Sequence, residues 1–150
     1  MKPDGRAGLC IKPVPSHYFR ELTEDVKGAL SSTSDEGMSL QFSKDGLGYQ
    51  WVVLDGGDVE GMVAAIGYVV ESLRDAGYGD RLLCALFSFQ NEKRAYLVYG
   101  YKRGAFYPFV PEGSHARDNQ LELKMAALLK GELTLEEDES RWYPIWDAPL

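Results

Sequence analysis

Lys102-Arg103-Gly104 interrupts an aromatic run, and His115 and Arg117 follow just ahead of Asp118. Cations gathered where strands end and a helix begins, beside free backbone N–H groups, make an anion site. Asp118 is a residue type that caps such a helix. No phosphate-loop glycine pattern accompanies these cations, so a charged turn followed by an ordinary cap is the competing reading. Lys102, Arg103 and Arg117 are therefore the candidate anion-binding residues.

Little else in the chain promises bond-making chemistry. His17 and His115 are the only histidines and Cys10 and Cys84 the only cysteines, and their spacing matches no metal set. A nucleophilic Cys84 needs a base and an electropositive surround. Its neighbours are Leu82, Leu83, Ala85 and Leu86, which describes a buried, inert thiol. Gly77-Tyr78-Gly79-Asp80 follows a helical pattern and Asp55-Gly56-Gly57-Asp58 carries two carboxylates, so neither reads as a phosphate loop. The expectation is a non-enzymatic protein with no catalytic residues, metal or cofactor.

The elements that must position these residues follow from periodicity. Leu9 to Val14 is a short strand candidate closed by Pro13 and Pro15. Phe19, Leu22, Val26, Ala29 and Leu30 recur at helical steps over 16–31, and a loop over 31–37 follows. Ser39–Lys44 and Gly48–Asp55 alternate around Asp45-Gly46, a hairpin signal. Asp58 caps a helix whose apolar stripe runs Val59, Met62, Val63, Ile66, Val69, Val70 and Leu73 to a terminal Gly77. Arg81–Phe89 is apolar on both phases, as in a strand covered on both faces or one whose outer face meets a partner. Ala95–Tyr101 and Ala105–Val110 are further extended pieces, the second an edge strand or one that leaves the sheet at Pro108, which has no N–H. Asp118 opens a third helix with Leu121, Met125, Leu128 and Leu129 as its stripe.

The order β-α-β-β-α-β-β-(β)-α plus a tail predicts an α+β fold. Its mainly antiparallel sheet of five to six strands would have the three helices packed to one side in two layers. At 150 residues the expectation is a single domain, 1–150, with 132–150 an acidic and then aromatic tail.

The most distinctive feature is aromatic: Tyr96, Tyr99, Tyr101, Phe106, Tyr107 and Phe109, with Trp142, Tyr143 and Trp146 in the tail. Core packing claims most of them. A subset would form an exposed groove for a protein partner, where Tyr, Trp and Arg concentrate binding energy. Tyr107, Phe109, Arg141, Trp142, Tyr143 and Trp146 are the candidate partner-binding residues.

Composition narrows the partners. A net charge of −7 and no dense cationic cluster exclude nucleic acid as the main partner. No apolar run approaches the ~20 residues of a membrane span, and no signal peptide opens the chain. With two strand-borne cysteines, the expected compartment is the reducing cytoplasm, without direct membrane insertion.

The segments G-Y-Q-W-V-V-L (48–54), S-L-R-D-A-G-Y-G-D-R-L-L-C-A-L-F-S-F (72–89), L-V-Y-G-Y-K-R-G-A-F-Y-P-F-V-P (97–111), R-D-N-Q-L-E-L (117–123) and S-R-W-Y-P-I-W-D-A-P (140–149) resemble the PspA-associated protein B family, PspAB. The resemblance covers the chain from about Gly8 onward. The family pattern carries a longer N-terminal segment before the part matching Leu9, so a function housed there is expected to be missing. The resemblance implies a component of the phage-shock stress response built around PspA, a membrane-remodelling coiled-coil protein. It brings no catalytic residue or cofactor. The function expected is an adaptor that binds a PspA-like coiled-coil protein through its aromatic sheet face or its tail. The alternatives are a small-ligand or anion-binding domain, with a hydrolytic activity, centred on Lys102, Arg103 and Arg117, a peptide binder of the secretion-chaperone kind, and a homodimer that pairs its own aromatic surface.

Overall fold

The computed structural model describes residues 2–32 and 38–150. In chain order come β1 (Lys2–Ile11), α1 (Ser16–Ser32), β2 (Ser39–Lys44), β3 (Gln50–Asp55), α2 (Val59–Asp75), β4 (Leu82–Gln90), β5 (Arg94–Gly100) and β6 (Ala105–Phe109). The short pair β7 (Pro111–Glu112) and β8 (Ala116–Arg117) follows, then α3 (Asn119–Leu129). The fold is α+β, as its element order predicts. Of the loop expected over 31–37, Ser31 and Ser32 close α1 and the remainder lies outside the described residues.

Six strands form one antiparallel sheet in the order β2-β3-β1-β4-β5-β6. β1 is longer than its apolar run, because Lys2 and Pro3 pair with Gln90 and Phe89 of β4. Pro3 is tolerated there since pairing with β3 begins only at Arg6, so its missing N–H costs no second ladder. Gly5, at φ +78, takes up the irregularity between Pro3 and Ala7. The β2–β3 hairpin also departs from the expected tight Asp45-Gly46 turn. Asp45 Oδ1 accepts from the N–H groups of Leu47 and Tyr49, and the positive φ falls on Gly48. The side chain of Asp45 organises a longer loop in place of a two-residue turn.

Alternation along the strands separates two cores. On one face Ala7, Leu9, Ile11, Val52 and Leu54 pack against Leu22 and Val26 of α1 and Met62, Ile66 and Val69 of α2. α2 forms where expected: Asp58 Oδ1 accepts from Gly61 N at 2.7 Å, and Gly77 stands at φ +87 past its end. On the other face Cys10, Trp51, Val53, Leu86, Val98 and Tyr107 are covered by the tail, through Trp142, Ile145, Trp146 and Leu150. The expected two layers thus gain a partial third, built by the chain's own C-terminus. α3 does not join α1 and α2 over the sheet's middle. It lies at the β6 end, where Met125 meets Ala95 and Val110.

β6 is an edge, as Pro108 requires, and the tail blunts it. Phe106 N donates to Thr134 O and Glu136 N to Phe106 O, both at 2.8 Å. The exposed ladder is thereby shielded from pairing with another chain.

Candidate functional site

α2 carries more apolar surface than the fold uses. Met62, Ile66, Val69, Val70 and Leu73 are buried, but Val59 and Val63 of the same stripe are exposed, Val63 by 51%. Both border the stretch of sheet that lies between α2 and α3. There Phe87, Phe89, Leu97, Tyr99 and Phe106 form the floor of an open groove of about 630 Å³. A second stretch of about 400 Å³ continues from Phe89 and Leu97 to Leu121, Met125, Leu128 and Leu129 of α3. Leu128 is 73% exposed. The groove therefore runs between α2 and α3 with aromatic and aliphatic walls throughout, and its charged rim is sparse: Glu71 and Arg74, paired at 3.3 Å, and Lys124.

The sheet's period of two decides which aromatics reach this groove. Tyr99 pairs with Phe106 across β5 and β6, their rings 4.7 Å apart, and Tyr101 packs edge-on to Tyr99 at 5.1 Å. Burial pushes the Tyr101 phenol up to about 12, with the neighbouring Tyr99 adding to the rise. Tyr96, Tyr107 and Phe109 point the other way, into the core beneath the tail.

The residues expected to bind a partner lie on that second face, and most are enclosed. Tyr107, Phe109 and Trp142 are buried. Trp146 is half-buried, edge-on to Phe109 at 5.1 Å and 5.3 Å from the His115 ring. Tyr143 is exposed, and Arg141 pairs with Asp138 at 3.3 Å. Tyr107, Arg141, Tyr143 and Trp146 do come together, with Lys102 and Arg103, around a cavity between tail and sheet. Phe109 and Trp142 do not line it. Burial raises the Tyr107 hydroxyl well above the usual phenol range, and it donates to Tyr143 O at 2.8 Å.

The three candidate anion-binding cations do not converge. Arg103 donates to both oxygens of Glu136, at 3.2 and 3.4 Å. Arg117 donates from Nε to Glu122 and from Nη1 to Trp142 O at 2.7 Å, with its guanidinium 5.1 Å from the Phe109 ring centre. Lys102 makes no ion pair among the described residues. Asp118 caps α3 as expected, accepting from Leu121 N, and Lys93 pairs with its carboxylate at 2.9 Å.

Cys10 and Cys84 face each other across β1 and β4, both buried and both free. The contact with Cys84 and burial hold the Cys10 thiol protonated, far above its ordinary range. His17 is exposed on α1. Among the described residues no three His, Cys, Asp or Glu side chains gather as metal ligands, and no helix is long and apolar enough to cross a membrane.

Reasoning from the sequence missed the groove residues Val63, Phe87, Phe89, Leu97 and Leu128. The signal was present in two places: β4 is apolar on both phases, and the α2 stripe is wider than one contact face needs.

The model of a family described as "PspA associated protein B" matches residues 1–150, which includes the opening residues that the resemblance had left out. No curated protein and no solved structure matches the chain.

Proposed function

The chain belongs to the PspA-associated protein B family, and on that premise we propose that it is a non-enzymatic adaptor of a PspA-linked envelope-stress system. It holds one amphipathic helix of a PspA-like coiled-coil protein in the groove between α2 and α3. The observation that carries this reading is the apolar surface in excess of the fold's own needs, continuous from Val63 across Phe87, Phe89 and Leu97 to Leu128. Isolated exposed apolar residues are ordinary, whereas a contiguous apolar groove marks an interaction site. A groove floored by strands and walled by two helices suits a helix presenting residues at i, i+3, i+4 and i+7. The net charge of −7 favours a helix with basic flanks. The non-enzymatic part rests on the state of the reactive groups: the Cys10 thiol is held protonated, and Arg103 and Arg117 are engaged by carboxylates.

The test is light scattering on the purified chain, alone and mixed with the PspA-like coiled-coil protein of the same genome. Val63→Glu and Leu128→Glu are expected to abolish the complex while changing stability by no more than about 0.5 kcal/mol, because both positions are open. Tyr143→Ala is expected to leave it intact. Loss with Tyr143→Ala alone moves the site to the tail. No complex, with a dimer of the chain alone that Val63→Glu dissolves, assigns the groove to a second copy.

A further inference from the structure

One register row crosses the tail-side face of the sheet: Trp51 opposite Cys10, Cys10 opposite Cys84, Cys84 opposite Gly100, and Gly100 opposite Ala105. After the indole, every side chain in the row is small. The middle of a covered sheet is normally filled to crystal-like density by large side chains. Here a cavity of about 470 Å³ stands over the row instead, within the range of small-molecule sites.

The tail arches over this space and is pinned on both sides of it. Before the arch, Trp142 Nε1 donates to Glu136 O at 2.8 Å, Arg117 Nη1 to Trp142 O at 2.7 Å, and Tyr107 OH to Tyr143 O at 2.8 Å. After it, Tyr96 OH donates to Leu150 O at 3.1 Å. Two glycines gauge the height of the roof. A Cβ on Gly8 would lie 3.3 Å from the Trp51 ring and 3.6 Å from Leu150, so there the tail rests on the sheet. A Cβ on Gly100 would meet nothing nearer than the Ala105 carbonyl oxygen at 3.9 Å. The space above Gly100 is open, and Gly100 lines the cavity together with tail residues 143–147.

The lining defines what fits. Tyr49, Trp51, Tyr107, Tyr143 and Trp146 supply flat aromatic walls over a floor of two thiols. Most of the charge is already engaged: Arg103 is paired with Glu136 and Arg141 with Asp138, and the Asp45 carboxylate, which has no ion pair among the described residues, accepts from Leu47 N, Tyr49 N and Trp51 Nε1. Lys102 and Asp147, of opposite sign, complete the charged lining. We infer that this cavity binds a flat, uncharged, mainly apolar small molecule between the Tyr143–Asp147 strap and the Cys10–Cys84 floor. The site is separate from the groove and does not depend on the adaptor reading.

Calorimetric titration of the full chain with 2-naphthol and with 2-naphthoate tests this. One site for 2-naphthol is expected, with 2-naphthoate weaker by about tenfold or more. Gly100→Leu, which fills the void, is expected to abolish the 2-naphthol heat without lowering the melting temperature. Should that variant melt early, Tyr143→Ala, at an exposed wall, is expected to weaken 2-naphthol about tenfold. Val63→Glu is expected to leave binding unchanged. Absence of heat, binding that survives both cavity variants, loss with Val63→Glu, or a preference for 2-naphthoate would each overturn the inference.

Discussion

Glu122, with no solvent exposure, receives Arg117 Nε on both carboxylate oxygens at 2.8 and 3.0 Å. The same carboxylate accepts from Val110 N at 2.9 Å and Asn119 Nδ2 at 3.2 Å, and Arg117 reaches on to Trp142 O. Four parts of the chain thus meet on one ion pair: the end of β6, whose Phe109 ring lies against the guanidinium, β8, the first turn of α3 and the start of the tail strap.

Removing Arg117 leaves a buried carboxylate without its counter-charge. Arg117→Ala is expected to destabilise the fold by about 3–5 kcal/mol in denaturant unfolding. Arg117→Lys recovers little, because a single ammonium cannot serve both Glu122 and the Trp142 carbonyl. A loss below about 1 kcal/mol would show that Arg117 is no clamp and is available to a ligand.

The tail aromatics separate in the same measurement. Trp142 is buried and donates to Glu136 O, so Trp142→Ala is expected to cost about 3–5 kcal/mol. Tyr143 is 60% exposed, and its backbone oxygen, not its ring, holds Tyr107. Tyr143→Ala should therefore stay within about 0.5 kcal/mol of the parent. A partner complex lost on Trp142→Ala would report unfolding, and only Tyr143→Ala probes the tail as a surface.

Lys93, Glu112 and Asp118 set a stability window in pH. The bond from Lys93, then that from Leu121 N, holds the Asp118 carboxyl below its ordinary 3.8. Its contribution is present above 3.8 and is lost as pH falls through the lower folded value. The bonds to Asp118 and Glu112 hold the Lys93 ammonium above its ordinary 10.5, so its contribution is present below 10.5 and is lost as pH rises through the higher folded value. Melting temperature followed against pH is expected to lose part of its acid decline in Asp118→Asn and part of its alkaline decline in Lys93→Met. Parallel curves for parent and variants would remove the pair from the account.

Gly8 is where strand and C-terminus touch. Gly8→Val puts a branched side chain against the Trp51 ring and Leu150 and is expected to cost about 1–3 kcal/mol. Limited proteolysis should then release the last residues first. Unchanged protease resistance would mean that the tail end can shift aside without detaching.

Much of this fold is local and was legible in the chain. Asp58 and Gly77 bound α2 because a cap needs only the residues of its own turn. Pro108 marked an edge because a missing N–H is a property of one residue, and the two-phase apolarity of Arg81–Phe89 announced a strand covered on both faces or one whose outer face meets a partner. The Asp45 loop was misjudged because its geometry depends on a side chain reaching two backbone N–H groups ahead, which a dipeptide signal does not contain. What tertiary structure alone decided is the strand order. Period two sorts Tyr99 and Phe106 from Tyr107 and Phe109, but it does not say which set a helix covers. That depends on β1 entering between β3 and β4, on α3 stopping at the β6 end, and on the tail crossing the opposite face. These pairings join residues far apart in sequence, so no window of local pattern contains them. The groove beside Val63, the arch over Cys10 and Cys84, and the burial of Arg117 on Glu122 all follow from them.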